Sequence, residues 1–178
     1  MIAISFTGLA RSGKDTAADY LVENCGFEKL VMSDELAEEL AKAGKEDTKM
    51  NRSHMGTELR KKFGDDIVAR RVFEKAGKRG LEKAIFVGPR SVSEIDFFEK
   101  NIEHFYLVAV TSKVSTRFER RTEVDGQTRE KFLERDEHDK TQFELAEVIA
   151  RANHLIENNS NIEDFHKKID SLMQKIGC

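Results

Sequence analysis

The sequence predicts an α/β protein with a parallel β-sheet flanked by crossover helices. Short apolar runs of β type alternate with charged stretches of helical pattern, and a glycine-bearing loop follows the first run directly. Near-continuous apolar runs are typical of strands that are buried on both faces, as happens where helices connect parallel strands. The length of 178 residues suits a single domain with a sizeable core.

The predicted strands are distributed over the whole chain. They lie near residues 2–6, 27–32, 84–87, 105–110 and 154–156. A long charged stretch between the second and third strands exceeds one simple crossover, and its pattern predicts helices near residues 34–43, 52–63 and 66–76. Apolar residues at helical spacing predict a last helix over 162–175.

The segment from Gly8 to Thr16 is the most informative in the chain. It fits the phosphate-binding loop pattern G-x-x-x-x-G-K and lies between a predicted strand and a predicted helix. Backbone N–H groups and the helix dipole then bind an anion, and Lys14 reaches the β- and γ-phosphates. The alternative is a tight turn whose glycines serve only packing. We expect ATP, bound by Gly8, Ala10, Arg11, Ser12, Gly13, Lys14, Asp15 and Thr16.

The position after the lysine departs from the commonest form of this loop. Asp15 stands where a hydroxyl usually contacts Mg²⁺, and Thr16 comes one position later. We expect Mg²⁺ to be held by phosphates, water, Asp15 and Thr16, with the α-phosphate as the other candidate partner of Thr16. A small cation that keeps several waters allows such a site.

Residues that follow the second and third strands are candidates for substrate binding, because ligands of parallel sheets bind beyond the carboxyl ends of the strands. Asp34 is a candidate to hold an acceptor hydroxyl; alternatively, it lies in a first helical turn capped by Ser33. Arg90 is a candidate to bind a phosphate bidentately or to cap a surface turn. Ser91 and Glu94 predict a capping box.

Arginines cluster after the fourth predicted strand. Arg117, Arg120 and Arg121 share one face of a predicted helix, and a predicted turn over residues 123–127 leads into a second helix. An arginine-bearing hairpin over a phosphate site is typical of a lid that excludes water and stabilises charge. The interleaved glutamates favour the alternative, a solvated helix face with ion pairs.

The loop after the fifth predicted strand is polar. Asn158 and Asn159 are candidate contacts for a purine ring, and the alternative is a plain turn with Asn161 near the next helix N-cap. The five histidines show no metal-ligand spacing, and we interpret them as structural.

Composition excludes several classes of protein. The net charge of −3 argues against a nucleic-acid binder, and no apolar stretch approaches the length of a membrane span. The chain runs from its first residues into a strand and the phosphate loop, which leaves no room for a cleaved targeting peptide. The two cysteines suggest a reducing, cytoplasmic setting. The expected partner is a small molecule, and the oligomeric state is open.

Beyond the loop, the chain resembles the archaeal adenylate-kinase-related, dephospho-coenzyme-A-kinase-like P-loop kinases within the nucleoside monophosphate kinase-like group. The resemblance rests, in order, on residues 8–16, 31–34, 88–91, 116–120, 134–137 and 147–158. It implies a single domain over residues 1–178 with a three-layer P-loop NTPase fold and a five-stranded parallel sheet in the order 2-3-1-4-5. It also implies a helical acceptor-binding insert over 34–80 and a lid over 117–142.

The strand-end residues and the resemblance together predict transfer of the γ-phosphate of ATP to a nucleotide-like or other small phosphorylated acceptor. The family pattern at the end of the third strand is Asp-Gly-x-Arg, and Val87 stands where that Asp would be. Asp15 or Asp34 would then have to compensate. Val87 keeps open an alternative, a nucleotide-binding regulatory protein with little kinase activity. The candidate catalytic residues are Lys14, Asp34, Arg90, Arg117 and Arg121, and Arg117, Arg120, Asn158 and Asn159 join the loop as candidate nucleotide-binding residues.

Overall fold

The computed structural model describes residues 1–122, 128–142 and 144–177. The predicted turn over 123–127 lies outside them. The strands are β1 (Ile2–Thr7), β2 (Glu28–Val31), β3 (Lys83–Val87), β4 (His104–Thr111) and β5 (His154–Glu157). The helices of the described residues are α1 (Lys14–Cys25), α2 (Met32–Lys42), α3 (Lys49–Phe63), α4 (Ile67–Lys78), α5 (Val92–Asn101), α6 (Val114–Glu119), α7 (Arg129–Gln142), α8 (Leu145–Ala150) and α9 (Ile162–Lys175).

All strands are parallel and form one sheet in the order β2-β3-β1-β4-β5, which confirms the expected topology. The central strand β1 aligns Ile4 with Ile85 of β3 and with Tyr106 of β4. Because the strands are parallel, their carboxyl ends meet at one edge of the sheet. The loop that leaves β1 therefore lies in the middle of this edge.

Alternate residues of the central strands feed two separate cores. Ile4 and Phe6 of β1 pack with Leu21 of α1 and Phe165 of α9 on one face. On the other face, Phe86 of β3 belongs to a core shared with α2, α3, α4 and α5. Helices thus cover both faces of the sheet, which gives the three layers of the predicted fold.

Side chains cap the N-termini of α5 and α9 but not that of α2. Ser91 and Glu94 form the predicted capping box at α5, and Asn161 accepts from the backbone N–H of Asp164 at α9. The interpretation of Ser33 as a cap is wrong, since β2 runs directly into α2 and Val31 is the N-cap residue without a side-chain bond. Among the described helices, none is both long and apolar enough to cross a membrane.

Replacing Phe98 by Ala should lower the free energy of unfolding by about 3–5 kcal/mol. The Phe98 ring is fully buried and stacks on the Phe86 ring with 4.6 Å between centroids. Urea unfolding monitored by circular dichroism measures the change. The matched control is Phe63→Ala, because Phe63 is 44% exposed, and its loss should stay below about 1 kcal/mol. Equal losses in the two variants would contradict the assignment of Phe98 to the core.

Candidate active site

A cavity of about 1360 Å³ opens at the carboxyl edge of the sheet. Its wall combines the loop after β1, the segments that follow β2 and β3, and residues of α3 and α7. Pockets for one small molecule usually occupy about 300–1000 Å³. The cavity therefore has room for two ligands side by side.

The loop after β1 has a backbone that demands glycine at two positions. Gly8 has φ 141° and Gly13 has φ 109°, both in the region that L side chains rarely adopt. A Cβ on Gly13 would lie 2.2 Å from Nδ2 of Asn158, and a Cβ on Gly8 would lie 2.3 Å from the carbonyl oxygen of Val110. The loop thus packs tightly against the ends of β4 and β5.

Side chains hold the carbonyl groups of this loop. Arg117 donates to the Ala10 carbonyl oxygen at 3.1 Å, and Nδ2 of Asn158 donates to that of Ser12 at 2.9 Å. The first turn of α1 has N–H groups without intrahelical acceptors, and its residues Lys14 and Asp15 line the cavity. The arrangement is that of an anion site, in which the carbonyls are engaged elsewhere and the N–H groups remain for a ligand.

A buried hydroxyl at the same place fits a phosphate ligand. Oγ1 of Thr7 is buried and finds no hydrogen-bond partner among the described residues, although Thr7 lines the cavity. An unsatisfied buried hydroxyl is costly, and a phosphate oxygen or a bound water would supply its partner. The phosphate loop and this hydroxyl together fit a phosphate group.

Two cations in the cavity repel each other. Burial is the largest cause that lowers the pKa of Lys14 below its ordinary value of 10.5, and the charges of Arg90 and Arg135 lower it further. Burial likewise lowers the pKa of Arg90, although its side chain still contacts cavity solvent. The carboxylate of Asp139 opposes both shifts. An anionic ligand would relieve this repulsion.

Most of the predicted nucleotide-binding residues meet at the cavity. Arg120 donates to the carbonyl oxygen of Asn158 at 3.2 Å and to its Oδ1 at 3.3 Å. The hydroxyl of Ser12 is buried behind the loop, without a partner among the residues described. The predicted residues that line the cavity are Gly8, Ala10, Arg11, Gly13, Lys14, Asp15, Thr16, Arg90, Arg120 and Asn158.

Asp34 and Asn159 lie outside the cavity lining. The Asp34 side chain is 60% exposed, and its Oδ1 is 3.6 Å from a guanidinium nitrogen of Arg52. Oδ1 of Asn159 accepts from the Ser112 hydroxyl at 3.1 Å and from the Lys113 backbone N–H at 2.7 Å. Asn159 therefore ties the ends of β4 and β5 together. The predicted ligand contacts of both residues stay predictions.

Arg117 and Arg121 also lie outside the cavity lining. Arg117 is buried and forms a two-pronged ion pair with Asp136 of α7. Arg121 stacks on the Phe118 ring with its guanidinium carbon 3.9 Å from the centroid. Their predicted catalytic roles stay predictions.

The sequence interpretation missed an ion pair between a buried glutamate and a half-buried arginine on the β3 side of the cavity. Glu94 is almost fully buried, accepts from the Arg90 backbone N–H at 2.7 Å and binds Arg60 of α3 at 2.8 Å. All three residues line the cavity. The capping-box pattern identified Glu94 in the sequence but not its partner Arg60. Nothing in the sequence distinguishes Arg60 from the other cationic residues of α3.

The sequence interpretation assigned Arg135 to the lid hairpin, regarded His138 as structural and gave Asp139 no role at the site. Arg135, His138 and Asp139 line the cavity, and Nε of Arg135 is 4.0 Å from the Asp139 carboxylate. The spacing of three and four residues along one helix was the available signal. It did not show which face of the helix is turned inwards.

Two oxygen-bearing side chains fit the expected magnesium ion. Asp15 and Thr16 are exposed on the cavity wall, and the Asp15 carboxylate is 3.8 Å from Nζ of Lys14. In the part of the chain that the structure describes, no group of three or more His, Cys, Asp or Glu side chains could hold a metal ion. Mg²⁺ tolerates a site with few protein ligands, because phosphates and water complete its shell.

Relatives of this chain are found among archaeal proteins, although no protein-family model matches it. A UPF0200/UPF0201 protein of Archaeoglobus fulgidus is 33% identical over 183 residues, which is 99% of this chain and 56% of that protein. A UPF0200 protein of Methanosarcina mazei is 30% identical over 179 residues, covering 97% of this chain and 94% of that protein. The chain belongs to the UPF0200 family.

A solved structure extends this result to the fold. Shikimate kinase from Bacteroides thetaiotaomicron superposes on this UPF0200 chain with a TM-score of 0.65 and 12% identity, over 99% of both chains. At this identity the likeness concerns the fold alone. The UPF0200 chain therefore has the P-loop kinase fold, while the finer likeness to adenylate or dephospho-coenzyme A kinases stays an expectation.

The affinity of this UPF0200 chain for tripolyphosphate should fall as pH rises through the lowered pKa of Lys14. The protonated amine attracts the anion and the neutral amine does not, so the loss should begin below the ordinary lysine value of 10.5. Calorimetric titration over a pH series measures it. The control is Lys14→Arg, which keeps its charge and should shift the loss to higher pH. Identical pH profiles for both proteins would contradict the role of Lys14.

Proposed function

We propose that the protein is a P-loop phosphotransferase that moves the γ-phosphate of ATP to a small acceptor. One observation carries the proposal: a single cavity has a phosphate loop on one side and the Arg60–Glu94 ion pair beside Arg90 on another. The volume of about 1360 Å³ accommodates donor and acceptor together. The shikimate kinase likeness supports the fold that this chemistry needs.

The donor would occupy the phosphate loop. Phosphoryl transfer depends on positioning and charge neutralisation more than on covalent chemistry by the protein. Lys14 and the N–H groups of the first turn of α1 would hold the β- and γ-phosphates. Asp15 and Thr16 would hold Mg²⁺ together with phosphates and water, and the metal would neutralise charge on the transferring group. Arg120 and Asn158 border the same cavity on the β4–β5 side, where the base of the nucleotide would lie.

The acceptor would lie on the β2–β3 side. Arg90 and Arg60 present guanidinium groups that suit an acceptor phosphate or carboxylate. Glu94 fixes both by accepting from the Arg90 backbone and the Arg60 side chain. Asp34 remains our candidate for the acceptor hydroxyl, because it follows the lining residue Ser33 in the first turn of α2.

The finer assignment concerns the acceptor and the helical segments. We propose a nucleotide-like or other small phosphorylated acceptor, as in adenylate-kinase-related and dephospho-coenzyme-A-kinase-like proteins. Residues 34–80, which hold α2, α3 and α4, would form the acceptor-binding insert. Residues 117–142 would form the lid region over the phosphates.

Purified protein should consume Mg²⁺-ATP in the presence of one acceptor from a panel of AMP, CMP, dTMP, dGMP, dephospho-coenzyme A and shikimate. Lys14→Ala should lower the turnover by about 10²–10³-fold or more, because the lysine stabilises charge that develops during transfer. A coupled assay for ADP measures the rate. Thermal unfolding of the variant is the control for folding. Turnover that survives Lys14→Ala unchanged would contradict the assignment.

Val87 favours a second candidate, a nucleotide-binding regulatory protein with little turnover. Val87 is buried at the end of β3 and lines the cavity, so an apolar side chain occupies the place of the family carboxylate. On this candidate, wild-type protein binds ATP without turnover on the panel, and Val87→Asp raises turnover by about tenfold or more. Val87→Asn is the matched control, since it adds polarity without charge. An equal gain in both variants, or none in either, would reject this candidate.

A further inference from the structure

A buried ion pair connects α7 to the phosphate loop. The side chains of Arg117 and Asp136 are each 3% exposed, and two parallel bonds of 2.9 and 2.5 Å join them. Two-pronged pairs of this type fix orientation as well as charge. Breaking one partner of a buried pair leaves an uncompensated charge, so the arrangement resists opening.

The same guanidinium reaches two other segments. It donates to the Ala10 carbonyl oxygen at 3.1 Å and, through Nε, to the Ser112 carbonyl oxygen at 3.2 Å. Arg117 therefore joins the phosphate loop, the end of β4 and α7 in one network. The ring of Phe132, fully buried on α7, lies 5.4 Å from the guanidinium carbon. Its packing excludes water from the ion pair.

The chain that follows α7 is attached near the Arg90 loop. The Glu144 carboxylate accepts from the Val92 backbone N–H at 3.1 Å, two residues after Arg90. The next residue, Leu145, is buried and lines the cavity. The helix is thus held by Asp136 within its length and by Glu144 just beyond its end.

We propose that Arg117 and Asp136 are positioning residues that hold α7 against the phosphate loop before any nucleotide binds. Arg135, His138 and Asp139 then form a fixed wall of the phosphate site. The sequence predicts a lid over residues 117–142. The part of this lid that α7 forms would be rigid. The role of this wall in phosphoryl transfer rests on the proposed function. The attachment of α7 to the phosphate loop does not depend on that function.

A fixed wall has a direct consequence for binding. Groups that are already in place lose no conformational freedom when the ligand arrives, which favours both affinity and charge stabilisation. The Asp136 carboxylate contributes through Arg117 and the Ala10 carbonyl group, without touching the ligand. Its removal should therefore weaken ATP binding, although removing a negative charge near an anion site would by electrostatics alone strengthen it.

Hydrogen exchange of the full chain, followed by mass spectrometry, tests the attachment. In the ligand-free wild type, amides of α7 should be protected to the same degree as those of α5, and ATP should change them little. Asp136→Asn should accelerate exchange in α7 and weaken ATP binding about tenfold or more in calorimetry. Arg117→Lys should act alike, because an ammonium group cannot bind three segments at once.

The matched control is Asp96→Asn. It breaks the ion pair of 2.5 Å between Asp96 of α5 and Arg151, which lies outside the cavity lining of the described residues. This variant should leave exchange in α7 and ATP affinity unchanged.

Two results would overturn the proposal. One is fast exchange of α7 in the ligand-free wild type with protection only on addition of ATP, which is the behaviour of a closing lid. The other is an Asp136→Asn variant with unchanged α7 exchange and equal or tighter ATP binding. If Asp136→Asn fails to fold, the wild-type exchange decides. Absence of ATP binding by the wild type would reject the proposed function, and α7 exchange would still decide on the attachment.

Discussion

The site depends on how the carbonyl groups of the phosphate loop are satisfied. An anion site made of backbone N–H groups needs the carbonyl oxygens of the same loop to be bound elsewhere, since they would otherwise repel the ligand. Arg117 binds the Ala10 carbonyl group and Asn158 binds that of Ser12. Both side chains come from segments that follow β4 and β5. The strand order places β4 beside β1 and β5 next to β4. The loop therefore depends on this order for its structure.

Cationic side chains repel one another in the cavity, and an anionic ligand would reduce this repulsion. Burial is the largest cause that lowers the pKa of Lys14 and of Arg90. The charge of Arg135 lowers both further, and the Asp139 carboxylate opposes both shifts. Such an arrangement costs stability in the free protein and becomes favourable when a polyanion binds. On the neighbouring wall, the positive charge of Arg60 is already paired with the negative charge of Glu94. Lys14 and Arg90 therefore favour an anionic ligand, and Glu94 keeps Arg60 and the Arg90 turn in place beside it.

The sequence predicted what is local and missed what depends on partners distant in the chain. The strands and the glycines of the phosphate loop follow from short patterns, and the strand order followed from resemblance. Arg117 and Arg120 look equivalent along a helix, yet one binds Asp136 inside the protein and the other borders the cavity. Only the position of α7 in the fold distinguishes the roles of these two arginines. Asp34 lies outside the cavity lining, because α2 begins directly after β2 and the Asp34 carboxylate is close to Arg52.

Val87 is apolar and lines the cavity at the end of β3, so the carboxylates of the cavity wall come from other elements. Glu94 lies on the same wall, but its oxygens already accept from Arg60 and from the backbone of Arg90, so it is committed to structure. Asp15 is exposed on the first turn of α1, and Asp139 faces the cavity from α7. A metal-bound nucleotide in this cavity would meet carboxylates from the two helices that Arg117 links through the loop. The geometry of α7 would then bear on metal binding as well as on phosphate binding.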